Sequence, residues 1–459
     1  MYTIDFNQKI KIHFIGIGGI SMSGLAELLL SRGFCVSGSD AQETALTREL
    51  ASKGAVIFYG QKASNIRTNI DCAVYTAAIH EDNPELLEIR RQNIPTLTRA
   101  ELLGQIMRSY ETPVAISGTH GKTTTTSMIS EILLAGESDP TLSIGGILKS
   151  IGGNFRIGHS GLFVTEACEY TNSFLSFFPK IGIILNVEED HLDFFKDIHD
   201  IRNSFHKFAS LIPSDGTLIV NGEIDDLNSI TQGLSCNILT CGFSETDDYR
   251  ADDITFDEQA RPSFSLFEKG AMLGRITLGV TGRHNVLNAL SSIALARLLN
   301  IPLSVISESL LHFGGTVRRF EQKGEFNGVT VIDDYAHHPT EITATLTAAQ
   351  NYPHNQIWCV FQPHTYTRTK AFLTDFAKSL SLADRIVLAD IYPARETDTL
   401  GISSLTLAEE IKKLGKDVFY FPSFEEIENF LLKNCIRKDL LITMGAGDVV
   451  KIGENLLKK

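Results

Sequence analysis

Three features of the sequence predict an α/β protein of three domains. Short β-branched runs alternate with amphipathic stretches almost from end to end, glycine-rich turns join such runs to the helices that follow, and 459 residues is about three ordinary domain lengths. Parallel strands need crossover connections, usually helices, so this alternation implies largely parallel sheets. Hydrophobic residues at 43% and charged residues at 21% are those of a folded globular chain. A net charge of −14 argues against broad capture of nucleic acid or an anionic membrane and restricts phosphate binding to a focused site. The opening MYTIDFNQKI lacks a basic region followed by an apolar one, and no stretch reaches about 18 uninterrupted apolar residues. A cytoplasmic protein without membrane insertion is expected. The seven cysteines include no CxxC pair, so neither a disulfide framework nor a zinc site is expected from their spacing.

The first domain is placed at residues 1–108. KIHFIGI, FCVSGSD, AVIFYG and CAVYTA read as buried strands, with helical SGLAELLLSRG between the first two, which makes the unit Rossmann-like. SYETP breaks the pattern, and VAISG opens a second domain, 109–316, which continues through LFVTEA, IGIILNV and TLIVNG as a mostly parallel sheet. Residues 242–270 read as polar and irregular, after which GVTGRHNVLNALSSIALARLLN reads as a loop entering a long helix. The third domain, 317–459, follows Gly314 and Gly315 and carries five strand-like runs, VTVIDDYAHHP, IWCVFQPH, RIVLADIY, VFYFP and LLITMGAGD. It too is Rossmann-like α/β.

The strongest chemical signal is GTHGKTT, residues 118–124, between a strand and a helix. Gly118 and Gly121 let amide hydrogens point inward around Thr119 and His120, the helix start adds positive potential, Lys122 can reach β and γ phosphates, and Thr123 can hold Mg²⁺ beside Thr124. GIGGIS at 16–21 is a weaker dinucleotide-type turn because Ser21 replaces the last glycine; Asp40 follows about twenty residues on, where an acid commonly meets a ribose or base. A plain glycine turn remains the alternative there. Glu166 and His191 each follow an apolar strand, which places both at the carboxyl edge beside the phosphate loop, where a cation would sit. Arg318 and Arg319, DDYAHHP at 333–339 and QPHTYTR at 362–368 gather ionisable groups at strand ends of the third domain. One arginine of the pair reads as a salt-bridge partner and one histidine of the pair as packing.

GIGGI, GTHGKT, DHLD, GRHNVLNA, GTVRRFE, DDYAHHPTEI, FQPHTYTRT, DIYPARE and GAGD, in this order from about residue 11 to 450, resemble the bacterial Mur ligases. DDYAHHPTEI and FQPHTYTRT are most similar to the alanine-adding branch. The resemblance implies an ATP- and Mg²⁺-dependent ligase that joins L-alanine to the carboxylate of UDP-N-acetylmuramate in peptidoglycan precursor synthesis. The first domain would then hold UDP, the second ATP, and a mobile third domain would complete the site. By the same resemblance Gly18, Gly19 and Asp40 fall on the UDP side and Gly118 through Thr124 on ATP. Thr123, Glu166 and His191 fall on Mg²⁺, Asn285 and Asn288 on adenine, Arg319 on the γ phosphate and Asp334 on ribose. Tyr335, His337, His364 and Arg368 face the acyl and amino substrates. Lys122, Glu166, His191, Arg319, His337 and Arg368 are the catalytic set that this implies.

The chain departs from the family in places. EACEYTNSF replaces the commoner EADESD, Thr365 stands where arginine is common, Gln61 stands where a histidine is common, and no residue of IRNSFHKF, Lys207 included, is placed as a carbamoylated lysine. Two rival functions rest on single motifs: an NAD-dependent dehydrogenase on GIGGIS and a non-catalytic nucleotide switch on GTHGKTT. Both leave the third domain idle.

Overall fold

The computed structural model describes residues 2–67, 69–76, 79–394 and 396–459, and three sheets share the chain. The first has five parallel strands in the order Val56–Tyr59, Cys35–Asp40, Lys11–Ile15, Cys72–Tyr75, Thr96–Thr98. The order reverses at Lys11–Ile15, so the GIGGIS turn opens at a switch-point crevice. AVIFYG is a strand but not a buried one: on the sheet edge, Val56 and Tyr59 are 47% and 44% exposed. A strand with one neighbour lacks the second flank that buries its ends.

The second sheet has ten strands, with Thr112–Ser117 between Leu162–Glu166 and Ile181–Ile184 and parallel to both. Contrary to the irregular segment expected at 242–270, this sheet runs on into an antiparallel meander of Tyr249–Phe256, Pro262–Glu268 and Ala271–Thr277. Phe264 and Leu266 are fully buried between serines and a charged end, a period-two pattern that the polar average of the segment hides. Helix Lys122–Ala135 packs on helix His284–Leu298 against the same sheet. The third sheet has six strands, five parallel and one, Glu321–Phe326, antiparallel at the edge.

The connection between the second and third sheets is held later than the glycine pair suggests. Gly315 has φ +88°, but Thr316 is buried with its hydroxyl bonded to Ser127, and the Val317 amide donates to the Ile147 carbonyl at 3.3 Å. The chain leaves the central domain at Arg318 and Phe320, which take left-handed φ of 63° and 46°. Among the described residues no helix is long and apolar enough to cross a membrane.

Candidate active site

The loops after Thr112–Ser117, Leu162–Glu166 and Ile181–Ile184 converge because these strands are adjacent and parallel. Gly118 has φ +146° and a Cβ there would lie 3.0 Å from Leu185 Cβ; Gly121 has φ +83° and its Cβ would lie 2.8 Å from Asn288 Oδ1. Both positions therefore require glycine. Lys122 begins the helix and curls back to the Gly118 and Thr119 carbonyls. Its ammonium also pairs with Glu169 at 2.9 Å. Burial opposes the Lys122 charge, but Glu169, with Cys168 and Glu166, outweighs it, and the pKa stands above the ordinary value.

The Thr123 hydroxyl donates to Glu166 Oε2 at 3.0 Å, and Glu166 Oε1 accepts the Gly145 amide. Burial pushes the Glu166 pKa up even against these donors and against Lys122 and Arg319. A hydroxyl and a carboxylate oxygen side by side suit Mg²⁺, which takes oxygen ligands. His191 stacks on Tyr170 with ring centroids 4.5 Å apart, and its Nε2 faces Glu169 at 3.6 Å and Asp190 at 3.7 Å. Burial lowers its pKa, which favours the neutral, lone-pair form. Glu169 thus touches both Lys122 and His191, and the motif reading, which carried over Glu166 alone, missed it. A second acid three residues after Glu166 in the same strand-end segment was the available signal.

Beside the phosphate loop lies a cavity of about 570 Å³ whose wall includes Gly121, Thr124, Asn285, Asn288, Arg319 and Asp334. Asn285 and Asn288 open the helix His284–Leu298 and bond to each other at 2.9 Å. Arg318 and Arg319 divide their work. Arg318 pairs with buried Asp333 at 2.9 Å and bonds the Gly445 carbonyl, whereas Arg319 stays at the cavity, 3.7 Å from Glu341 and over the Tyr335 ring at 5.3 Å. Asp334 is pushed by burial to about 6 and accepts the Phe320 and Ala336 amides and the Thr345 hydroxyl, so much of its carboxylate is spent inside the fold. His284, which motif reading did not single out, also lines the cavity and is exposed there.

Tyr335, His337 and His364 form a ring cluster, with His337 centroids 5.5 Å from Tyr335 and 5.7 Å from His364. His337 Nδ1 faces two acceptors, the Tyr335 carbonyl at 3.0 Å and Glu341 at 3.2 Å, which leaves the Nε2 lone pair outward. Arg368 reaches back to the central domain: Nη2 and Nε donate to Asp190 Oδ1 at 3.0 and 3.3 Å, and Nη1 lies 3.2 Å from His364 Nδ1. Asp190 and Glu341 were not singled out from the sequence, though each lies inside a quoted motif, DHLD and DDYAHHPTEI. In the first domain Asp40 accepts the Gly18 amide at 2.8 Å and the Ala41 amide, so it braces the glycine turn, and Gly19 caps the following helix.

Comparison with known proteins decides the family. Mur ligase models match in series: the catalytic-domain model at residues 11–111, the middle-domain model at 116–296 and the glutamate ligase domain model at 318–447. The chain is 61% identical over its whole length to UDP-N-acetylmuramate–L-alanine ligase of Lachnospira eligens, all of which is covered. The chain belongs to the Mur ligase family. Another Mur ligase, UDP-N-acetylmuramate–L-alanine ligase of Clostridium acetobutylicum, is 53% identical over 98% of both chains. Among solved structures, UDP-N-acetylmuramate–alanine ligase of Thermotoga maritima superposes with TM-score 0.81 at 31% identity over 98% of each chain. A murein peptide ligase of Psychrobacter arcticus gives 0.71 at 26% identity, also over 98% of each. The three-domain α/β fold expected from the sequence is that of this family.

Proposed function

We propose that this Mur ligase joins L-alanine to the lactyl carboxylate of UDP-N-acetylmuramate through an acyl phosphate, at the expense of ATP, in cytoplasmic synthesis of peptidoglycan precursors. The carrying observation is Glu341, which contacts His120 of the phosphate loop at 3.3 Å and His337 of the third domain at 3.2 Å, beside Arg319. Phosphate chemistry and acceptor chemistry thus meet at one carboxylate, which neither a dehydrogenase nor a nucleotide switch requires. Residues 1–108 with Gly18, Gly19 and Asp40 are assigned to the UDP substrate, 109–316 to ATP, and 317–459 to completing the site.

A carboxylate and an amine do not condense in water unless an acyl oxygen becomes a leaving group. In the proposed reaction the lactyl carboxylate attacks the γ phosphorus and ADP departs. Lys122 and Arg319 stabilise the transferring phosphoryl group by position and charge. Lys122 must first exchange Glu169 for phosphate. Thr123 and Glu166, with His191 nearby, would hold Mg²⁺, which when bound offsets phosphate charge. The amine of L-alanine, its carboxylate facing Arg368, then attacks the acyl carbon, and phosphate leaves with the former carboxylate oxygen. His337 Nε2 accepts the amine proton. Phosphate release measured with ATP while each substrate is omitted in turn tests the whole reading. Release that needs both UDP-N-acetylmuramate and L-alanine supports it, and release indifferent to either overturns it.

A further inference from the structure

Where the phosphate loop meets the third domain, His120, Glu188 and His338 each bring one ligand-capable atom to a common point, all within 4.8 Å of one another. We propose that these three side chains form a site for a zinc-type cation that bridges the central and C-terminal domains, built from none of the residues assigned to Mg²⁺. The two rings are already oriented for it. His120 Nδ1 faces Glu341 at 3.3 Å, which leaves Nε2 inward, shielded from solvent without a hydrogen-bond partner and 3.7 Å from Glu188 Oε2. His338 Nε2 donates to the Glu189 carbonyl at 3.1 Å, which leaves Nδ1 with only the Thr340 amide at 3.3 Å. A carboxylate or carbonyl on the outer nitrogen is how metal-binding histidines are held in tautomer and direction. The Thr340 hydroxyl fixes Glu188 Oε2 at 2.7 Å. Two imidazole nitrogens and one carboxylate oxygen match zinc with a fourth position open, whereas magnesium favours oxygen alone. Because His338 belongs to the third domain and the other two ligands to the second, the bound cation favours their closed arrangement.

The test uses the full chain, stripped of metal and free of nucleotide, titrated with zinc at neutral pH against a chromophoric chelator. Wild type is compared with Glu188→Gln and His338→Gln, because thirteen histidines give any such chain weak background sites. Wild type is expected to bind one more zinc than either variant, or to bind its tightest zinc at least about tenfold more tightly. Cobalt added to the wild type alone is expected to give the strong visible absorption of four- or five-coordinate ligation, a readout that stands whether or not the variants fold. Equal zinc binding by the three folded proteins, or only the pale spectrum of six-coordinate cobalt in the wild type, overturns the site and leaves His120 as a partner of Glu188 and Glu341 alone.

Discussion

The contact between the first and second sheets is apolar and interlocked, whereas that between the second and third is polar. One hydrophobic cluster runs from Ile4 through Met107 into Phe163, Phe174 and Phe208, so the first two domains share a core. At that junction Gly24 admits the Phe155 ring and Gly104 admits the Ser176 carbonyl. The clusters of the third domain begin at Phe320, and those of the central domain end at Phe313, with no apolar cluster joining them among the described residues. Polar contacts join them, among them Asp190 with Arg368, Glu188 with Thr340, the Glu189 carbonyl with His338, His120 with Glu341, and Lys149 with Glu321. A shared core cannot part without exposing apolar surface, while polar groups parted at a cleft regain hydrogen bonds from water. The difference sets a joint locked by a shared core against one held by polar groups, which is free to open.

The largest expected effect comes from wedging the fixed joint. A Cβ on Gly104 would lie 1.9 Å from the Ser176 carbonyl oxygen, so Gly104→Val should lose about 3 kcal/mol of stability or more by calorimetry. An unchanged melting temperature would break the comparison. Acid acts on the other side. Burial, with His120 beside it, holds His338 near 4, while an unfolded histidine takes its proton near 6.5. The folded chain therefore binds fewer protons between these values, and stability falls as pH drops through that window, by about 2 kcal/mol at pH 5. His338→Gln should flatten that part of a stability profile measured by denaturant. The smallest effect should come from the polar joint itself. Asp190→Asn removes the charge that holds Arg368, so turnover should fall about tenfold, with a smaller fall in melting temperature than Gly104→Val gives, since Arg368 can turn to water at the cleft. A loss of stability as large as that of Gly104→Val would make the two joints alike.

Strand–glycine–helix order made the phosphate loop legible, because a left-handed Gly121 before a lysine has few other uses. Strand-end acids and histidines were legible as a class, but their pairings were not. Glu169 against Lys122 and Asp190 against Arg368 depend on how loops 47 and 178 residues apart meet, and no local period encodes that. The meander at 249–277 escaped because its buried residues alternate with serine and charge, which lowers average hydropathy while preserving the strand period. Gly314 and Gly315 read as the start of the third domain, yet Thr316 and Val317 are still anchored to the central domain, so the chain leaves it only at Arg318.

The central claim is that the first two domains move as one body and the third moves against them. Paired spin labels on exposed positions measure it directly, one pair between the first and second sheets and one between the second and third. Each pair is recorded without ligand and with a non-hydrolysable ATP analogue plus UDP-N-acetylmuramate. The account predicts an unchanged distance for the first pair and a shifted or narrowed distribution for the second. A change in the first distance, or none in either, would contradict it.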